Sequence, residues 1–424
     1  FIYKMRKAKN IFANIDTTTI VLYLILVFFG WINIYASQYN DDTLFSIDFT
    51  SRYGKQFYFI AFSLITALII LIIDWKFYYS LSFLIYGVII VSLISVLIIG
   101  GVTNGAMSWF QLGSIKIQPS ELAKFATALA LAKFFNMQHS KNQKISTKLY
   151  SYLIILIPSI LIILQNDLGT ALIFSSFILV LYREGLSINI LFLVLIFGVL
   201  SLLSLLINQM ILIYIFSGIA IISLLFFRFS KKDIFTIIIT WLLSVVFVLG
   251  TNYFVNEVLA PHHSKRINIL LGKEFDPYGA GYNLIQSKIA IGSGGGLGKG
   301  FLSGTQTRFD FVPEQSTDFI FCTIGEEWGF LGSILFIILF IGLISRIIFL
   351  SERQRSSFSR IYGYSVACIL FFHFTINVGM TIGLLPTVGI PLPFISYGGS
   401  SLLGFTVLLF IFLNLDSYRL DILR

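Results

Sequence analysis

The chain has 424 residues, 57% of them hydrophobic and only 12% charged, with a formal net charge of +9. A soluble domain carries about 25% charged residues, so this composition, with a mean hydropathy of +0.90, excludes a soluble enzyme or binding module and describes an integral membrane protein. The surplus of Lys and Arg then marks the loops on one side of a membrane rather than a nucleic-acid partner.

A spanning helix needs about twenty apolar residues, and helices satisfy their own backbone groups in lipid. On that criterion the chain offers about twelve spans, at 17–37, 55–74, 77–99, 119–136, 149–165, 168–183, 187–207, 210–228, 233–255, 319–346, 361–383 and 396–415. The basic start FIYKMRKAKN precedes a run too long for a signal-peptide core and without a cleavage site, which reads as the first span. Placing Lys4, Arg6, Lys7 and Lys9 inside puts the basic segments KNQKISTK, RFSKKD and SERQRSSFSR on the same side and the acidic SQYNDDTLFSIDF outside, as the positive-inside rule requires.

Two outer segments stand out. The first, Gly100–Glu121, holds Trp109 and Lys116. The second, 256–318, is too long for an idle connection and is expected to be ordered, partly helical and functional. Near the end, LLPTVGIPLPFISYGGSS (Leu384–Ser401) mixes prolines and glycines at a membrane boundary. Such backbone is tolerated there only when buried in protein or lining a wet cavity.

The motifs have plain readings beside functional ones. GSGGGLGKG fails as a phosphate loop, which would need Gly at Ser293 and Ser or Thr at Gly300; a tight-turning loop fits better. In QPSELAK, Pro119 suits a first helical turn, and Glu121 and Lys124 share a face. They form either a neutralised pair that lets the helix insert or a charge pair lining a polar cavity. Asp167 in QNDLGTAL sits in a short hairpin between two spans, where it reads as an ordinary turn and helix start, with a functional acid as the second reading. The adjacent His262 and His263 lack zinc-ligand spacing and read as exposed loop residues. Cys322 and Cys368 lie in apolar runs, so no structural disulfide is expected. In PEQSTDFIF, the residues Ser316, Thr317 and Asp318 suit a helix cap. The preceding loop, however, brings Arg266, Lys288, Lys299 and Arg308 to the same side. Glu326 and Glu327 cannot both face lipid, so at least one meets a polar interior or a cation.

Together these stretches resemble the SEDS family. The long run from DPYGAGYNLIQSKIAIGSGGGLGKG through GTQTRFDFVPEQSTDFIFCTIGEEWGFLG is similar to the family's large outer loop and following helix. QPSELAK, NDLGTAL and GLLPTVGIPLPFISYGGSSLL are similar to its other signatures, in the same order. The wording is RodA-like, of the elongation branch, more than of the division branch. The resemblance implies an all-α polytopic membrane protein forming one domain over 1–424. Its core would have about ten helices, joined by an extra hairpin within 187–232 and by a catalytic loop at 256–318. It implies a peptidoglycan glycosyltransferase that polymerises lipid II in the bacterial cytoplasmic (inner) membrane, with both termini cytoplasmic and the loop outside; a flippase of lipid-linked precursors and a non-catalytic scaffold are the alternatives. The implied catalytic residue is Asp318. Arg266, Lys288, Lys299, Lys116 and Trp109 are substrate-binding candidates, and Glu121, Lys124, Asp167, Glu326 and Glu327 are cavity or regulatory ones. Implied partners are the nascent glycan strand, a class B penicillin-binding protein and other elongation proteins. The chemistry admits a divalent cation, Mg or Mn, although no ligand cluster in the sequence demands one. The chain departs from the family pattern at Ser108, where an Arg commonly precedes the Trp and for which Lys116 would substitute, and at Trp328, where an aliphatic residue is usual.

Overall fold

The computed structural model describes residues 14–39, 49–103, 106–113, 115–138, 145–185, 187–226, 230–279 and 281–419. The N-terminal basic cluster, most of SQYNDDTLFSIDF, Lys141, Lys144 and Arg228, on which the sidedness expectation rests, lie outside the described residues.

The expected spans are helical: α1 (Thr17–Ala36), α2 (Arg52–Ile72), α3 (Trp75–Ile99), α4 (Pro119–Met137), α5 (Ile145–Leu164), α6 (Leu168–Ile173), α7 (Phe177–Arg183), α8 (Ile188–Leu206), α9 (Gln209–Phe226) and α10 (Lys231–Tyr253), with 168–183 in two pieces. They are followed by α11 (Pro261–Leu270), α12 (Tyr282–Gly294), α13 (Ile320–Glu352), α14 (Ser357–Thr381) and α15 (Gly399–Ser417). Short polar side chains set many of the starts. Asp16, Ser51, Asp74, Asp167 and Ser187 each accept a bond from a first-turn N–H, and Ser230 forms a capping box with Asp233. Asp16 also binds the Arg346 guanidinium, joining α1 to α13. Burial alone would raise its carboxyl, but the bonds from Arg346 and Thr19 outweigh this and hold it at about 2.

The sequence expectation is about twelve spans. Among the described residues, 10 helices are long and apolar enough to cross a membrane. The two that fall short are α4, which carries Glu121, Lys124 and Lys133, and the 168–183 run, which breaks into α6, a 3-10 turn (Phe174–Ser176) and α7. The chain is mostly helical, as expected for an all-α membrane protein, and the segment before α4 adds a small antiparallel sheet. Its strands are β1 (Gly101–Thr103), β2 (Ala106–Leu112) and β3 (Ile115–Ile117), in the order β1-β2-β3, with Trp109 opposite Gly101 and Gln111 opposite Lys116. Alternation in so short a run is hidden by its Gly-rich start.

The chain divides into two compact units. The larger comprises Phe1–Gly185 and Asn283–Arg424. Its buried centre is α4, α14 and α15, while α2 and α3 turn Leu68, Ile72, Leu84, Val91 and Ile98 outward, as lipid-facing helices do. The smaller, Leu186–Tyr282, holds α8 to α11. There Trp241 Nε1 donates to Ser217 Oγ at 3.0 Å, Phe197 packs on Phe247, and Asn252 Nδ2 donates to the Ser204 carbonyl. His262 and His263 lie on α11 rather than in a loop. His263 is pushed down to about 4, first by burial and then by His262 and Arg266.

Within the larger unit, α13 is broken at Gly329 (φ 63°, ψ −160°). The Gly-rich segment 294–300 fills the break. The Phe330 and Leu331 amides donate to Gly295 and Gly296, and the Lys299 and Gly300 amides donate to Glu326 and Glu327. Gly298 (φ +82°) lies so close that a Cβ would sit 2.1 Å from the Glu327 carbonyl oxygen. GSGGGLGKG is therefore a close-packed backbone brace, which explains why it needs glycines and fails as a phosphate loop.

Candidate functional site

The PEQSTDF turn leads into α13, but its side chains do not cap the helix. The cap position is Phe319, with no side-chain capping bond, so the expectation that Ser316, Thr317 and Asp318 serve as caps is corrected. The turn is instead fastened to the broken 388–397 segment and to α14. Ser396 Oγ donates to the Thr317 carbonyl at 2.5 Å, and the Tyr397 amide donates to the Ser316 carbonyl at 2.8 Å. Asn377 Nδ2 donates to both the Asp318 carbonyl (2.8 Å) and the Ile390 carbonyl (2.7 Å). Asp318 Oδ2 lies against Gly389, where an added Cβ would touch it at 3.4 Å, an ordinary contact, but the φ of +69° strains any side chain there. A left-handed L-residue costs about 1–2 kcal/mol. Gly389→Ala should therefore lower stability by about that amount, a shift that thermal unfolding in detergent beside wild type would check.

The broken segment is buried where the turn and α14 meet it, with Ile390, Leu392, Phe394, Ile395 and Ser396 all inside. This satisfies the condition on non-helical backbone at membrane depth. Beside the turn lies a pocket of about 270 Å³ walled by Arg52, Asp310, Glu314, Gln315 and Ser316. Arg52 Nη1 donates to Ser316 Oγ at 2.7 Å, and Asp310 and Glu314 both adopt left-handed backbone. Such conformations cost of order 1–3 kcal/mol each and cluster at functional sites. Sequence reasoning missed Arg52, Asn377 and His373; an Arg opening the second span was the one signal it could have used.

A second polar cluster is buried in the core. Lys124 Nζ donates to Glu121 Oε2 at 2.7 Å, with both side chains about 2% exposed, and sits 4.3 Å from the centre of the Phe405 ring. His373 Nε2 lies 3.0 Å from the same ammonium. Asp167 caps α6 and accepts from Gln118 Nε2 at 2.9 Å, which joins the QPSELAK and NDLGTAL motifs. Two residues on, Gly169 packs against the Val388 carbonyl. Four separate sequence signatures thus meet around 388–391.

Glu326 and Glu327 separate in role. Glu326 is fully buried and accepts from Lys299 Nζ (2.7 Å), from the amides of Thr305, Gln306 and Thr307, and from both Thr hydroxyls. It is the one that meets a cation, and it shapes the GTQT loop. Lys299 is correspondingly engaged in that ion pair. Glu327 is also buried, and its Oε2 has no bonded partner. Of the other expected substrate residues, Lys288 is exposed on α12 against Gly383, and Lys116 is exposed on β3. Trp109 is half-buried on β2 beside the buried Ser108. Arg266 is on α11 in the smaller unit.

The FtsW/RodA/SpoVE family of cell cycle proteins matches the chain at residues 16–216 and 202–420, two segments that overlap on the α8–α9 turn. The peptidoglycan glycosyltransferase MrdB of Escherichia coli K12 is 31% identical over 392 residues, covering 92% of this chain and 90% of its own. The peptidoglycan glycosyltransferase RodA of Treponema pallidum (strain Nichols) is 31% identical over 414 residues, covering 92% and 94%. A chain of a solved peptidoglycan synthase complex, described as coordinating polymerization and crosslinking, superposes with a TM-score of 0.69 at 27% identity over 96% of this chain and 98% of that one.

Proposed function

Because the chain belongs to the FtsW/RodA/SpoVE family of cell cycle proteins, we propose that it is a peptidoglycan glycosyltransferase that polymerises lipid II at the outer face of the cytoplasmic membrane during cell elongation. The observation that carries this reading is the seat of Asp318: a carboxylate at the head of a membrane helix, its backbone tied to α14 and to the broken segment, in a turn whose Glu314, Gln315 and Ser316 wall a polar pocket.

A sugar hydroxyl is too weak an acid to attack unaided, so it needs a base within hydrogen-bond reach. Asp318 takes the proton of the acceptor GlcNAc 4-OH as that oxygen bonds to C1 of the donor MurNAc. The bond from C1 to the phosphate oxygen breaks, undecaprenyl pyrophosphate leaves, and the α-linked donor inverts to a β-1,4 link. Charge on the departing pyrophosphate is met by cations. Lys288 and Lys116 are exposed candidates on the unit that holds Asp318; Arg266 is assigned by sequence alone. A divalent cation, Mg or Mn, would arrive on the pyrophosphate, since Mg typically uses one or two carboxylates plus substrate phosphates. Among the described residues no group of three or more His, Cys, Asp and Glu is placed for a dedicated site. The partner is a class B penicillin-binding protein that crosslinks the strand, with other elongation proteins, and the likeness to a synthase complex supports it. Both termini are cytoplasmic and the 256–318 segment is outside.

The test is glycan-strand formation from lipid II by the purified chain, with a β-lactam present. A flippase would move lipid II across vesicles without making polymer, and a scaffold would do neither alone.

The α8–α9 hairpin is the addition to the family core that the sequence reading assigns within 187–232. Deleting 187–232 removes two helices and preserves parity. Labelling of the 256–318 segment should therefore still report the outer face, and a move to the cytoplasm would contradict the assignment.

A further inference from the structure

His373 and Asn377 are one turn apart on α14 and so share a face. They grip consecutive carbonyls of the broken segment. Asn377 Nδ2 holds Ile390 together with Asp318, and His373 Nδ1 lies 3.3 Å from the Pro391 carbonyl. The other ring nitrogen, Nε2, lies 3.0 Å from Lys124 Nζ. An ammonium has only hydrogens to offer, so Nε2 must accept. The ring is then the Nδ1–H tautomer, and Nδ1 donates to Pro391. His373 is fully buried and packs edge-on against Phe405 at 4.7 Å, which fixes its plane. Nothing in the glycosyl transfer as described above uses it.

We infer that His373 is a positioning residue. It takes its tautomer from the buried Glu121–Lys124 pair and passes it, through the Pro391 carbonyl, to the Gly389–Ile390 stretch on which Asp318 rests. The order is Glu121 carboxylate, Lys124 ammonium, His373 imidazole, Pro391 carbonyl, with Asp318 two residues back across Gly389. The charge pair in the core thereby sets the place of the base without touching substrate. This deepens the glycosyltransferase reading and rests on it.

Two measurements test it. In kinetics, His373→Gln can still accept from Lys124 and donate to Pro391, and it should stay within about threefold of wild-type kcat. His373→Leu can do neither. Since a misplacement of about 1 Å can cost about 10²-fold, its kcat should fall by about 10- to 100-fold with KM nearly unchanged. A Leu variant as active as the Gln variant would overturn the inference. In a chain that keeps His373 and has His139, His262 and His263 replaced, 15N imidazole labelling should show Nδ1 protonated and Nε2 bare. An Nε2–H tautomer or an imidazolium would overturn it even if the Leu variant failed to fold. Absence of polymer from wild-type protein would sink the glycosyltransferase reading, and the tautomer would still decide the hydrogen-bond order.

Discussion

Asp318→Asn should reduce lipid II polymerisation by about 10²- to 10⁴-fold, the usual contribution of a positioned base, and leave thermal unfolding and KM close to wild type. The asparagine has the same shape and cannot take a proton. The main-chain bonds that fix the turn stay in place, because Asn377, Ser396 and Tyr397 reach backbone carbonyls and not the carboxylate. The helix loses no cap, since Phe319 holds that position without a side-chain bond. A base acts as the proton moves, so the loss belongs in kcat. Glu314→Gln is the natural control: it removes a carboxylate four residues earlier in the same turn, one that lines the adjoining pocket and binds the Thr317 hydroxyl. Full activity in Asp318→Asn, or equal losses in both variants, would end the base assignment.

Hydropathy located the helices well because lipid demands long apolar runs with satisfied backbones. The expected spans beyond the 10 clear ones are α4, which carries Glu121 and Lys124 in its first turns and Lys133 near its end, and the 168–183 run, which is interrupted. The motif residues also stood out, because a charge or glycine in such a chain needs a reason. Their pairing did not. Glu326 and Glu327 are neighbours of one residue type, and only the fold of the 294–307 segment tells which carboxylate meets Lys299. Ser316, Thr317 and Asp318 read as a cap because short polar residues at a helix start usually are one; the tertiary bonds to Asn377 and Ser396 decided otherwise. Asn377 and His373 were illegible for a simpler reason. Each is a single polar residue in an apolar helix, and its partners lie in segments distant in sequence.

Lys124→Met should destabilise the core by about 3–5 kcal/mol, the range for removing one partner from a buried pair. Glu121 would keep a charge with no cation beside it, and His373 Nε2 would lose its donor. The double variant Glu121→Gln/Lys124→Met removes both charges and should recover most of that loss. The remainder reflects the unpaired imidazole nitrogen, of the order of 1–3 kcal/mol for a buried polar group left without a partner. Unfolding of both singles and the double then gives the coupling directly. The sequence left two readings of QPSELAK open: neutralisation for insertion, or a polar device. The double variant separates them. If the pair only lets α4 enter the membrane, a stable double variant polymerises like wild type. If the ammonium sets the His373 ring and with it the seat of Asp318, the double variant is stable and slow. The slow outcome is expected, with a kcat loss matching that of His373→Leu, because both changes cut the same hydrogen-bonded path at adjacent points.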